Sequence, residues 1–166
     1  MLYAAYGSNL HPVRLSLRVP SARLLGTALL PEWSLHFHKR GSDESGKCNI
    51  LASGDGVFFA VFDIDAREQS DLDVIEGHGY EASEIAIPAF GDCYTYIATE
   101  SHVDDNLAPF SWYKALVLSG LEYHAAPAGY IARVRAVQET EDADPDRHAA
   151  NSAILSQMGR PISPGF

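Results

Sequence analysis

Two short stretches carry residues that can do chemistry together. Near the start, Tyr6-Gly7-Ser8-Asn9-Leu10 runs from an apolar segment into three small or polar residues. Glycine leaves the backbone amides uncovered, and serine and asparagine can bond back to the local backbone and hold a tight turn. Amides presented where a strand gives way to a helix attract an anion, either a carboxylate or a developing oxyanion. In the middle of the chain, Leu72-Asp73-x-x-Glu76-Gly77 offers a carboxylate at Glu76 for proton transfer. Taken singly, each reads more simply: the first as a strand-loop-helix connection, the second as a solvated glutamate in a last helical turn. Tyr6, Tyr80 and Tyr113 combine an apolar face with a polar tip, suited to line a pocket and donate hydroxyl bonds.

Other chemistries are poorly served. His36 and His38 alternate on one strand face, a spacing that binds metal in some proteins, but no acidic or cysteine partner has matching spacing, and the pair is expected on a solvated face. Ser8 lies in no G-x-S-x-G elbow. Gly54-Asp55-Gly56 lacks the third glycine and helix start of a dinucleotide site. His78 is placed to rim a site around Glu76; His124 and His148 carry no readable role. Cys48 and Cys93 lack metal spacing and read as reduced core thiols. No metal and no cofactor are expected.

The elements that must position these residues follow from periodicity. Residues 2–6 read as a strand, and Leu10 to Arg18 as a short helix starting near Asn9 or His11 and stopped by Pro20. Extended segments are expected at 22–30, at 33–38 with strict alternation, at 48–53, and at 57–64 as a near-continuous apolar run. Residues 41–47 read as a polar loop. Asp65 is positioned to cap a helix with Glu68 closing an acidic capping box, and Gly77 to end it after Glu76. Strands at 80–88 and 92–98 meet at a Gly91-Asp92 turn. A helix over 110–118 ends near Gly120. Pro127 opens another, and Asp144 caps a last one over 145–158. Residues 159–166, with two prolines and two glycines, read as an irregular tail. The fold class is α+β: five to seven strands in a small curved, mixed or mostly antiparallel sheet, open or closed into a β-barrel, with flanking helices. One domain is expected over 1–166, with 138–166 a C-terminal extension.

The chain has 166 residues, with 12 basic and 22 acidic side chains and a formal charge of −10. That balance, with no strong basic patch, argues against nucleic acid or an anionic membrane surface as partner. No basic-then-apolar leader opens the chain, so a cytoplasmic location is the expectation.

The run Tyr6-Gly7-Ser8-Asn9-Leu10 directly after a short strand resembles the signature of the gamma-glutamylcyclotransferase family. The resemblance extends through residues 15–37, through Asp71 to Tyr80 and through Trp112 to Gly120, most of residues 1–134. It implies a small curved mixed barrel with flanking helices, and an enzyme that releases 5-oxoproline from gamma-glutamyl compounds. Carried over residue by residue, it makes Glu76 the essential carboxylate and Tyr6, Gly7, Ser8, Asn9 and Leu10 the substrate-binding loop. It adds Tyr80 and Tyr113 to the pocket. Some members have a Gly-Leu-Pro segment where this chain has Gly120-Leu121-Glu122.

That reaction suits these residues. The substrate's own alpha-amine attacks the gamma-carbonyl, so ring closure is intramolecular. One carboxylate takes the ammonium proton and later gives it to the departing amine, while the loop amides hold the alpha-carboxylate, the oxyanion or both. The expected partner is a small gamma-glutamyl substrate, with the protein a monomer or homodimer. The alternatives are a gamma-glutamylamine or tagged biosynthetic intermediate, glutathione, or a non-catalytic binding module on the same scaffold.

Overall fold

The computed structural model describes residues 1–159; the sequence-predicted irregular tail beyond Gly159 lies outside the described residues. Seven strands form: β1 Leu2–Ala5, β2 Arg23–Leu30, β3 Ser34–Arg40, β4 Gly46–Leu51, β5 Val57–Asp63, β6 Tyr80–Ile87 and β7 Gly91–Ala98. Five of them make one sheet in the order β2-β5-β1-β7-β6, and β3 pairs with β4 as a separate hairpin. The large sheet is mixed: β1 runs antiparallel to β5, with Ala5 opposite Ala60, and parallel to β7, with Tyr3 opposite Tyr94. Its edges are β2 and β6. The fold is therefore α+β, a mixed sheet with flanking helices.

Burial explains the central position of β1 and β5. Val57 to Phe62 are buried without a break, as a strand covered on both faces requires. Tyr3, Ala4 and Ala5 are buried beside them. A central strand delivers whatever follows it to the end of the sheet, and here that is Tyr6 to Leu10. Gly7 opens a 3-10 turn over Ser8–Leu10, closed by Leu10 N–H donating to the Gly7 carbonyl. Helix α1, Pro12–Ser16, follows with proline at its first position and His11 Nδ1 accepting from Val13 N–H as its cap.

Helix α2, Gln69–Glu76, carries one fully buried residue, Leu72. Burying that side chain contributes about 2 kcal/mol, little for a whole helix, and polar bonds near its C-terminus supply the rest of its attachment. Gly77 ends it at φ 70°, a left-handed conformation that favours glycine, with its N–H on the Asp73 carbonyl. The expected capping box does not form. Asp65 does cap the preceding 3-10 turn, but its own N–H donates to Ser21 Oγ, and Glu68 reaches Ser21 instead of turning back. Ser21, from a segment distant in sequence, offers both partners at once.

Helix α3 spans Ser111–Tyr123 and passes through Gly120. The glycine does not end it. A Cβ there would lie 2.5 Å from Leu10 Cβ and 3.0 Å from His11 N. Gly120 is the point where α3 touches the turn, and its lack of a side chain permits that approach. Helix α4 is Ala128–Ala136, and α5 is Pro145–Met158, with Asp144 accepting from Asp146 and Arg147 N–H as expected. Two further boundaries move. The polar loop gives way to β4 already at Gly46, and Gly91 begins β7, with both Ala89 and Gly91 at positive φ around the hairpin turn.

Candidate functional site

The turn after β1, the end of α2, the start of β6, the first turn of α3 and strand β4 converge on one pocket of about 300 Å³, counting the space open to solvent. Seven of the eight sequence-predicted site residues line it: Tyr6, Gly7, Ser8, Asn9, Glu76, Tyr80 and Tyr113. Leu10 does not. It is fully buried beneath the turn, against Gly120. Sequence reasoning did not single out Tyr3, Cys48 and Tyr96, which complete the lining. Tyr3 lies in the apolar first strand and is buried with its neighbours Ala4 and Ala5, so nothing in the pattern set it apart. Cys48 and Tyr96 enter only because β4 and β7 happen to pass here.

Glu76 is held at the mouth of this pocket, about one-sixth exposed. Asn9 Nδ2 donates to Glu76 Oε1 at 2.9 Å and to Tyr3 Oη at 3.0 Å. Arg18 Nη1 donates to the same Glu76 oxygen at 3.0 Å and to Asn9 Oδ1 at 3.1 Å. A guanidinium only donates and a carboxylate only accepts, so the two neighbours fix which end of the Asn9 amide faces which. A second brace lies one helical turn back, where Tyr96 Oη donates to Asp73 Oδ1 at 2.5 Å.

The turn itself makes one internal bond, Leu10 N–H to Gly7 O. A single 3-10 bond leaves the Ser8 and Asn9 amides without a partner inside the turn. Gly7 has a negative φ of −114°, and its lack of a side chain gives the turn room against β4 and α3. A Cβ would lie 3.1 Å from Cys48 Cβ and 3.5 Å from Tyr113 Oη.

The tyrosines divide by what their hydroxyls do. Tyr6 donates to the Tyr96 carbonyl, and Tyr80 to the Cys48 carbonyl. Both line the pocket with their protons committed to backbone; burial makes an internal acceptor necessary for each. Tyr113 Oη instead accepts from Cys48 N–H at 3.1 Å, and Tyr3 Oη accepts from Asn9. These two hydroxyls are acceptors and keep a proton to offer. Burial holds all four phenols well above their ordinary pKa, so all are neutral donors. Burial likewise pushes the Cys48 thiol up to about 12.

Several other residues have structural duties. Lys114 Nζ donates to the Arg135 and Val137 carbonyls at the end of α4 and pairs with Glu139. Leu121 is fully buried, and Tyr123 is half-exposed with its ring against His11; neither lines the pocket. His78 lies in a groove bordering Glu76. His36 and His38 are not on a solvated face. Their rings stack at 4.8 Å, and buried His38 bonds Asp105 through Nδ1 and Asn49 through Nε2. The reason is that the segment after β7 folds across β3, where Val103 bridges Lys39. Among the described residues no group of three or more His, Cys, Asp or Glu is gathered as a metal site requires, and no helix is long and apolar enough to cross a membrane. Both cysteines are free and buried.

No family model matches the chain. It is 28% identical over 153 residues to a human gamma-glutamylcyclotransferase, covering 84% of this chain and 80% of the relative, and 29% identical over the same span to the mouse protein. A solved structure described as a gamma-glutamyl cyclotransferase superposes with a TM-score of 0.78 at 24% identity, covering 92% of this chain and 98% of that one. The crystal structure of an uncharacterized human protein superposes at 0.77 with 26% identity, covering 91% and 97%. By sequence the chain is thus similar at moderate identity to gamma-glutamylcyclotransferases, and by structure it shares their fold.

Proposed function

We propose that this protein is a gamma-glutamyl cyclotransferase that releases 5-oxoproline from a gamma-glutamyl amide, with Glu76 as general base and then general acid. The observation that carries this reading is the bonding of Glu76 to Asn9, which sets the carboxylate over the same pocket as the Gly7-Ser8-Asn9 turn.

The reaction balances within the substrate. Glu76 takes a proton from the substrate's alpha-ammonium. The freed nitrogen attacks the gamma-carbon, closing a five-membered ring and placing negative charge on the carbonyl oxygen. Collapse of that tetrahedral centre breaks the bond to the amine, which leaves with the proton held by Glu76. The ring nitrogen still carries two hydrogens and a positive charge; it gives one proton to the freed carboxylate, which passes it to the released amine. The products are 5-oxoproline and the amine as its ammonium, and no water is consumed. The enzyme's contribution is to fold the chain for attack and to stabilise the oxyanion. The uncommitted amides of Ser8 and Asn9 and the spare protons of Tyr113 and Tyr3 suit that second task. Arg18 and Asn9 both bond Glu76 Oε1, and among the described residues Oε2 accepts no hydrogen bond, so that oxygen is the one to exchange protons.

The test is 5-oxoproline release from a panel of gamma-glutamyl amino acids, gamma-glutamylamines and glutathione. Glu76→Gln keeps the shape and the bond-accepting oxygen, so turnover is expected to vanish while substrate still binds. Unchanged product in that variant removes Glu76 from the mechanism. A panel in which one compound binds and none reacts favours the binding-module alternative.

A further inference from the structure

A second pocket adjoins the first. It measures about 630 Å³, counting the space open to solvent, and shares Ser8, Glu76, Tyr80 and Tyr113 with it. Its outer wall is cationic: Arg14, Arg18, Lys39 and Lys47 against the carboxylates of Asp43 and Glu76, an excess of two positive charges. In a chain with a formal charge of −10, that excess is unexpected.

The pairing shows which cations are spare. Lys47 Nζ is taken by Asp43 and Ser45 at 2.7 Å each, and Arg18 by Glu76 and Asn9. Arg14 and Lys39 have no ion pair or side-chain hydrogen bond among the described residues. Arg14 Nε is buried with no partner, although a buried polar atom ordinarily has one. Lys39 is only 4% exposed, its ammonium 4.4 Å from the centre of the Tyr80 ring. Acidic side chains are plentiful in this chain, yet among the described residues none closes on either cation. A buried charge without an opposite charge is costly, and a ligand's negative charges entering this pocket would supply what Arg14 and Lys39 lack.

We infer that the second pocket receives the departing amine of the substrate, and that this amine carries two negative charges, as an acidic amino acid does. The inference rests on the reaction proposed above. The glutamyl half occupies the inner pocket and turns its alpha-carboxylate to the loop amides. The scissile bond lies beside Glu76, where the pockets join. Arg14 and Lys39 each meet one carboxylate of the departing half. A neutral amine leaves both cations unpaired, and a neutral amino acid leaves one.

The experiment compares gamma-glutamyl-glutamate, gamma-glutamyl-alanine and gamma-glutamyl-n-butylamine as substrates. Expected kcat/KM falls about tenfold at each step, one ion pair being worth roughly 1.4 kcal/mol here. In Arg14→Gln and in Lys39→Met, the ratio of the first substrate to the third falls about tenfold, while Lys39→Arg retains it. Equal use of the three substrates, or ratios unmoved by both variants, overturns the inference. Calorimetry with glutarate and butyrate separates this from failure of the proposed reaction. Glutarate is expected to bind at least tenfold more tightly than butyrate to the unmodified protein, with the difference lost in either variant even if no substrate turns over. Indistinguishable binding of the two probes, or binding indifferent to both variants, overturns the site itself.

Discussion

Asn9 and Glu76 stand 67 residues apart in the chain and are joined by a 2.9 Å hydrogen bond between the amide of one and the carboxylate of the other. The bond links the turn at the end of the central strand to the last residue of a helix with one fully buried anchor. It makes Asn9 a positioning residue for Glu76, because both hydrogens of its amide and its oxygen are already spent on Glu76, Tyr3 and Arg18.

Asn9→Ala is expected to lower kcat about a hundredfold with a much smaller change in KM, since a misplacement of about 1 Å at a catalytic group has that effect. Steady-state kinetics on the best substrate of the panel check it. A KM rise with kcat intact would mean that Asn9 binds substrate and does not orient Glu76.

Gly120→Ala inverts the usual rule for helices. In an open helix the change stabilises by about 1 kcal/mol. Here the new methyl meets Leu10 Cβ at 2.5 Å and the His11 backbone at 3.0 Å, and overpacking of this kind destabilises by about 1–3 kcal/mol. Urea denaturation decides the sign. Because the contact bears on the turn, activity should fall in the same variant.

Tyr113→Phe and Tyr80→Phe separate oxyanion stabilisation from scaffolding. The first removes a hydroxyl whose spare proton suits the developing oxyanion, so kcat is expected to fall at least about tenfold with a much smaller change in KM. The second removes a hydroxyl committed to the Cys48 carbonyl, which should cost about 1 kcal/mol of stability with little change in kcat. The reverse pattern would reassign the two tyrosines.

Acid should loosen the same region. Burial, and then the neighbouring His124, lowers the His11 pKa to about 4. A histidine with a folded pKa below its unfolded value of about 6.5 binds fewer protons when folded. Stability is therefore full above pH ~6.5 and declines as pH falls toward about 4. Protonation also removes the Nδ1 acceptor that caps α1. His11→Asn keeps a capping acceptor and does not titrate, so its urea midpoint should vary less over that interval. An equal decline in both proteins assigns the loss elsewhere.

The strands and helices were largely legible because their signals are local. Alternation marked β3, the unbroken apolar run marked β5, and Asp144 with Pro145 marked the start of α5. The errors came where a distant segment supplied the decisive partner. Ser21 displaced the capping box, Leu10 gave Gly120 a reason to sit inside a helix, and the segment around Val103 buried His38. The same holds for the site. The turn and Glu76 carry recognisable patterns, but Arg14, Arg18, Lys39 and Lys47 look like scattered surface charges until α1, β3 and β4 bring them to one wall. A count of basic residues along the chain conceals such a cluster.

The pocket is also lined by a sulfur atom that is chemically quiet. With Cys48 pinned by its own peptide groups between two phenols and its proton retained up to about pH 12, alkylating agents and mild oxidants find no thiolate to attack at neutral pH. Iodoacetamide should therefore leave catalysis intact, and the enzyme should tolerate oxidising conditions that silence cysteine-dependent catalysts.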